Sequence, residues 1–508
     1  VTDRIFQVRG FDISNITFVR GDRGWVVVDT LTTNETARAA YDLISERFGR
    51  LPITGIVYTH SHADHFGGTA GLIASGTDIP IVAPRGFLDA AVSENVLAGP
   101  AMSRRAAYQF GMPLDRDSTG SLGSGIGMGI PQGTQSLIPP NRTINATGEE
   151  VVIDGVRIRF QLTLGTEAPA EMNLAFPDWK VLDLAENANP SQHNILTPRG
   201  AAIRSAKAWA DGLTEALDFF PGYDVLITSH GWPRFGEQEV ADYIGRHRDA
   251  YAFLHDQTVR LMNQGLTGDE IAARLRLPSA LEREWYNRPY YGSLSFNVRA
   301  VYQYYMGWYD ANPVHLAPLP PEEGGRRYVE ALGGDTRVLD LAREAYDRGD
   351  YTWSAELLNR LVFADPGNAR ARDLLARNYD QLAWQSENSV WRNIYRTGAT
   401  ELRDGVPRMP RANGVGVAAA LPVGSLFDAE ATRIDPEKAG AQHLGLAFVF
   451  PDRNAQVTVS LDNGVLTHRA GLSERAVDAT LTVRYADFLA AFLGGVPLAP
   501  RIAAGEAR

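Results

Sequence analysis

The 508-residue chain contains no cysteine. That removes disulfides, thiolate zinc sites, iron–sulfur clusters and a cysteine nucleophile together, so any metal must be held by histidine and carboxylate. Long hydrophobic runs are also missing. No window approaches the roughly 18–20 uninterrupted apolar residues that span a bilayer, and the first residues, VTDRIFQVRG, lack the basic-then-apolar layout of a signal peptide. Positive charge is in deficit: 49 Lys and Arg face 60 Asp and Glu, a formal net charge of −11. Such a surface repels polyphosphate and anionic lipid. The expectation is a chain with no integral membrane segment and no nucleic-acid partner. It opens on Val1 rather than Met, as a processed or trimmed product would, and the expected location is periplasmic or secreted.

What is present is length and pattern. At roughly 100–200 residues per domain, the chain predicts two to four domains. Up to about residue 240, short β-branched runs alternate with turns and helical stretches. WVVVDT and GIVYTH read as strands buried on both faces, and ETARAAYDLISERFG between them has helical spacing. VVIDGVRIRFQLT turns at Asp154-Gly155, a hairpin signal, and MNLAFPDWKVLDLAEN reads as a second hairpin. DVLITSHGW reads as a strand ending in a loop. The mixture predicts a layered α/β domain. The glycine-rich stretch 120–133 contains GSGIGMG, but no strand precedes it and no helix follows, so it reads as a loop rather than a dinucleotide cradle.

From about 240 to 400 the pattern turns helical. Ala345, Tyr346, Gly349, Tyr351, Ala355, Leu358, Pro366 and Ala371 fall in the order of a tetratricopeptide-type helix pair, which reads as a packing or dimerisation module. DGVPRMPRANGVG marks a boundary near 405–420. Beyond it, two strand-like runs close on Asp462-Asn463-Gly464 and DATLTVRYADFLAAFLGG reads as strand then helix, a small α+β domain.

The chemistry concentrates in THSHADHFGG, directly behind GIVY. Three of the ten histidines, His60, His62 and His65, fall within six residues together with Asp64. In a strand or tight turn alternate residues share a side, so His60 and His62 face one cation while Asp64 and His65 face a neighbouring one. This is a two-metal pattern.

The H-x-H-x-D-H motif behind a strand resembles that of the metallo-β-lactamase superfamily. Further stretches resemble one branch of it, the alkylsulfatases that hydrolyse dodecyl sulfate and similar detergents: RGFDISNITF, RRAAYQFG, GTEAPAEMN, AEN, HNILTPRGA, SHGWPRFG and VRAVYQYYMGWYDANP. The resemblance runs through essentially the whole chain. It implies an αββα sandwich over 1–262, an all-α tetratricopeptide-like dimerisation domain over 263–410, and an α+β domain over 411–508 that is similar to sterol carrier protein 2. It also implies two Zn²⁺ per chain, held by His60, His62, Asp64, His65, Glu171, Glu186 and His230.

An alkyl sulfate is the substrate that this resemblance implies, and a homodimer through the helical domain is the assembly. Arg199 is expected to clamp the sulfate bidentately, with Tyr302 as a second donor; Asp64 and His193, the latter beside Asn194, complete the catalytic set. Where the family carries a histidine before Asn297, this chain has Phe296, which leaves the identity of the proton donor open. Phe448, Phe450, Leu466 and Phe488 are expected to line an apolar tunnel in the last domain. The expected reaction is hydrolysis of an alkyl sulfate to alcohol and inorganic sulfate by water activated on the metals. The alternatives are an inverting secondary-alkylsulfatase with C–O cleavage, another two-zinc hydrolase of this fold, and a lipid-binding scaffold with a degenerate catalytic domain.

Overall fold

The computed structural model describes residues 1–407, 420–473, 476–492, 496–505 and 507. Residues 408–419 of the Pro- and Gly-dense boundary therefore lie outside the described residues. Two six-stranded sheets form the centre of the first half. The first runs β1 (Ile5–Val8), β2 (Ile16–Arg20), β3 (Trp25–Val28), β4 (Ile53–Val57), β5 (Ile81–Pro84), β6 (Arg142–Ile144). It is antiparallel through β3 and parallel from β3 to β6. The second runs β7 (Glu150–Ile153), β8 (Val156–Leu162), β9 (Met172–Phe176), β10 (Val181–Asp183), β11 (Val225–Ile227), β12 (Arg234–Phe235). In this sheet only the β10–β11 pair is parallel. The β7–β8 hairpin turns on Asp154 and Gly155, both at positive φ, as the Asp-Gly pair dictates.

Strand side chains alternate between faces, and that period sorts the core into layers. On β3, Trp25 and Val27 pack outward with Ala37, Ala40, Tyr41 and Ile44 of the helix Asn34–Phe48. Val26 and Val28 pack inward with Ile158, Phe160 and Leu174 of the second sheet. Leu182 and Leu226 cover the opposite face, against the helices Ala206–Phe219 and Glu237–Met262. Each large apolar side chain buried in this way contributes about 1.5–3 kcal/mol. The result is helix, sheet, sheet, helix.

Ile271 of the helix Gly268–Arg274 and Val298 and Val301 of the helix Leu294–Met306 belong to that same outer layer. A separate helical core forms only later, from Pro321–Ala331, Asp335–Asp347, Tyr351–Ala364, Ala369–Trp384 and Ser389–Asp404. Asp350, Asn368 and Asn388 cap three of these helices by accepting from the third backbone N–H. Between the two helical layers, Tyr304, Tyr305, Met306, Trp308, Val314, Leu316 and Leu319 are exposed on one continuous strap.

The glycine-rich stretch 120–133 has no helix or strand. Gly127 lies so close to the Ile13 carbonyl that a Cβ there would meet its oxygen at 2.0 Å, so its glycine serves chain packing.

The last unit is a four-stranded sheet in the order β15 (Val465–Ala470), β14 (Ala455–Asp462), β13 (Leu444–Phe450), β16 (Ala479–Thr482). The first strand-like run of the sequence is in fact two strands, because Pro451 breaks the ladder and begins a tight turn. Phe448, Phe450 and Phe488 pack on one another in its core and Leu466 lies at the margin. The cleft there, about 320 Å³, is lined by Phe488 with Phe492, Val496 and Leu498. Of the four expected tunnel residues, it takes in Phe488 alone.

Candidate metal centre

The chain leaves β4 at Val57 and reaches His60, whose backbone bridges Glu171 just before β9. That bridge ties the rim of one sheet to the rim of the other. The chain then turns, with His62 at the start of the short helix Ala63–Phe66, which carries Asp64 and His65. Glu186 follows β10 and His230 follows β11.

These loops bring two groups of donors together. His60, His62, Glu167 and Glu186 each place one donor atom within 4.8 Å of the others, and so do Asp64, His65, Glu186 and His230. Glu186 belongs to both; its Oε1 lies 2.9 Å from His230 Nε2, 3.0 Å from His65 Nε2 and 3.4 Å from His60 Nε2. All but Asp64 are buried, and the Asp64 side chain is 22% exposed.

Outer hydrogen bonds set the ring orientations. His65 Nδ1 lies 2.7 Å from Asp29 Oδ2, and His60 Nδ1 lies 2.9 Å from Thr59 Oγ1, whose hydroxyl donates to Asp29. His230 Nδ1 donates to the Ile13 carbonyl at 2.8 Å. Each of these three rings therefore turns its Nε2 inward, the usual second-layer arrangement of metal-binding histidines. His62 is turned the other way, with Nδ1 2.9 Å from Glu167 Oε2 and Nε2 3.5 Å from Glu94 Oε2.

The fit to divalent cations is visible in what has no partner. Among the described residues, His60 Nε2, His65 Nε2 and Glu167 Oε2 are buried without a hydrogen bond. A buried polar atom left so costs about 1–3 kcal/mol, and a cation would use these lone pairs. Burial alone would neutralise Glu186, but His230, His193 and His60 hold it well below the carboxylate range. Burial opposes ionisation of Glu167 too, and Arg204 and His62 outweigh it. Burial would lower His62, yet Glu167 and Glu94 push it up to about 10. The set is anionic and basic, suited to dications.

Two expected site residues lie elsewhere. Glu171 is in neither group: its Oε2 accepts from Thr166 Oγ1 at 2.7 Å, Glu167 N at 2.9 Å and Ala168 N at 3.2 Å. It organises the β8–β9 loop so that Glu167, four residues earlier, points inward. Burial, then the neighbouring Glu167 charge, push Glu171 up to about 8. Tyr302 packs against Gly268 in the outer helical layer, its ring within 3.2–3.4 Å of where a Cβ would stand. The phase of the helix Leu294–Met306 turns Asn297 toward the loops instead, where it donates to the His193 carbonyl and accepts from Ile195 N.

Arg199 stands beside the first group. Both of its terminal nitrogens lie 3.4 Å from Glu94 Oε2, and Nη1 donates to the Gly200 carbonyl. His193 Nε2 is 2.8 Å from Glu186 Oε2. Sequence reasoning missed Arg204, which is buried, donates to Glu167 Oε1 at 2.5 Å and reaches His193 Nδ1 at 3.1 Å. A guanidinium can only donate, so His193 Nδ1 accepts and its Nε2–H serves Glu186. The available signal was an arginine just before the helix-capping Ser205 with no acid three or four positions away. Glu94 and Asp29 were missed as well.

An apolar wall adjoins these loops: Phe110 and Tyr291 with the half-buried Met112, Ile126, Ile130 and Phe296. Tyr291 packs on His193 at 5.0 Å, and Phe296 on Trp391 at 5.5 Å.

Three protein families match the chain: the metallo-beta-lactamase superfamily over residues 9–91, alkyl sulfatase dimerisation over 267–405, and alkyl sulfatase C-terminal over 411–508. An (R)-specific secondary-alkylsulfatase of a Pseudomonas species is 47% identical over 488 residues, 95% of this chain and 74% of the relative. The alkyl/aryl-sulfatase BDS1 of Saccharomyces cerevisiae is 42% identical over 493 residues, 96% and 76%. A linear primary-alkylsulfatase of a Pseudomonas species is 42% identical over 490 residues, 95% and 73%. The solved stereoselective inverting sec-alkylsulfatase Pisa1 from Pseudomonas sp. superposes with a TM-score of 0.97 at 45% identity, over 100% of this chain and 81% of that one.

Proposed function

Because the chain belongs to the metallo-β-lactamase-fold alkylsulfatases, we propose that its site hydrolyses secondary alkyl sulfates by C–O cleavage with inversion. The observation that carries the reading is the pair of donor groups joined at Glu186, with Arg199 beside them and an apolar wall alongside.

His60, His62, Glu167 and Glu186 would hold one Zn²⁺, and Asp64, His65, Glu186 and His230 the other. Nitrogen and oxygen donors without thiolate suit that ion. When bound, the pair supplies Lewis acidity and lowers the pKa of water. The protein's own groups do the rest. Arg199 receives the sulfate head; Arg204 and His193 hold Glu167 and Glu186 in place; Asp64, the most open of the donors, orients the attacking water. The alkyl tail lies along Phe110, Met112, Ile126 and Phe296.

Phe296 favours attack at carbon. Attack at sulfur expels an alkoxide, which demands a proton donor, and phenylalanine offers none. Attack at carbon makes a bond from water oxygen to carbon and breaks the C–O bond, whose electron pair leaves with the sulfate, while the water gives up one proton to solvent, so that the products are alcohol, SO4²⁻ and H⁺. Sulfate is a weak base and needs no proton.

Hydrolysis of a single enantiomer of 2-octyl sulfate in ¹⁸O water tests the reading. Label in an inverted alcohol is expected; label in the sulfate with retained configuration would sink C–O cleavage. Elemental analysis is expected to find two zinc ions per chain.

The exposed strap from Tyr304 to Leu319 lies within the region matched by the dimerisation family. A second copy of the chain covers it in a homodimer.

A further inference from the structure

Glu94 has no role in the reading so far, yet it stands where the metal centre meets the sulfate clamp. It lies on the turn Ser93–Leu97, its side chain 10% exposed. Oε2 is 3.4 Å from both terminal nitrogens of Arg199 and 3.5 Å from His62 Nε2. Oε1 is buried with no hydrogen bond among the described residues. A carboxylate beside the one arginine meant for an anion competes with that anion. We propose that Glu94 is a positioning and specificity residue: it keeps Arg199 at the rim of the metal centre and trims the positive charge of the pocket so that dianionic sulfate is released.

The argument rests on the charges of substrate and product. An alkyl sulfate carries one negative charge. Inorganic sulfate at neutral pH carries two. Any change in the pocket's charge is therefore felt twice as strongly by the product as by the substrate. At an effective dielectric near 20, one added charge within about 12 Å shifts binding by at least about tenfold per unit of ligand charge. Without Glu94 the pocket would gain a positive charge and Arg199 would lose its carboxylate partner. Both anions would bind more tightly, but sulfate by the larger factor, and turnover would stall on product. Discrimination against a dianion by a fixed carboxylate is specificity by an introduced repulsion.

This inference rests on Arg199 as the sulfate clamp, and the test separates the two. The affinities of the metal-loaded protein for sodium sulfate and for sodium hexanesulfonate, a monoanion that cannot be hydrolysed, are measured by calorimetry at fixed ionic strength. Glu94→Gln is expected to bind sulfate at least about a hundredfold more tightly and hexanesulfonate at least about tenfold more tightly, with the metal content of the parent. It should also show stronger inhibition by sulfate and a lower kcat with KM lowered. Glu94→Asp, which keeps the charge, is expected to restore the parent ratio of the two affinities. Equal changes in both affinities, weaker binding of both, or loss of metal from Glu94→Gln would overturn the role. Arg199→Gln is expected to weaken both ligands. If it leaves hexanesulfonate unaffected, the clamp itself has been misplaced; if it weakens both while Glu94→Gln shifts them in parallel, only the role of Glu94 fails.

Discussion

At the scale of residues, the site turns on which of two glutamates in TEAPAE faces inward. The sequence holds both, and a loop has no period that separates positions 167 and 171; only the hydrogen bonds from Thr166, Glu167 and Ala168 to the Glu171 carboxylate decide it. Glu167→Gln is therefore expected to lower metal affinity at the first group by at least about 10–100-fold. Glu171→Gln, which keeps an acceptor for the loop, costs less. Chelator competition distinguishes them. The protonation states give a second prediction. In the metal-free protein Glu171 is raised to about 8 and His62 to about 10. Both hold protons more tightly folded than unfolded, so their contribution is full at low pH. It is lost from about pH 4.5 to 8 for Glu171 and from about 6.5 to 10 for His62. The melting midpoint of chelator-treated protein is expected to fall from pH 5 to 9. Because a cation must displace the His62 proton, metal affinity is expected to rise about tenfold per pH unit over the same range.

At the scale of elements, the motif HSHADH was legible because four ligand-type side chains cluster behind an apolar strand. So were both hairpins of the second sheet, one through Asp154-Gly155 and the other through the run MNLAFPDWKVLDLAEN. What the sequence could not disclose is the platform underneath. Asp29 and Leu31 sit at positive φ, conformations that non-glycine residues adopt only when the surroundings enforce them. The turn after the motif presses on that segment: a Cβ on Gly68 would meet the Thr30 carbonyl oxygen at 2.1 Å. Gly68→Ala is expected to destabilise the protein by about 1–3 kcal/mol and to loosen metal at the second group more than the first, because Thr30 N also binds the His65 carbonyl. Thermal unfolding and metal content check this. Tyr302 lies away from the donor groups for a related reason. Helical phase, which tyrosine composition does not reveal, turns it toward Gly268.

At the scale of the molecule, the three-part organisation was readable from the shift in periodicity, but the layering within the helical half was not. Residues 268–306 have the same helical spacing as residues 321–404, and only packing shows that Ile271 and Val301 belong to the sandwich. The strap between these layers exposes Trp308 at 72% and Val314 at 72%, an apolar surface of the kind that marks an interface. Trp308→Glu is expected to shift the protein from dimer to monomer in light scattering, with the metal content unchanged.

Glu186 gives the two donor groups a common wall, so cations held in both would be thermodynamically linked. Whatever factor the first ion contributes to the affinity of the second must be returned by the second to the first. Where that factor exceeds one, partial depletion leaves full and empty chains in preference to half-filled ones, and activity falls in direct proportion to metal content rather than as its square.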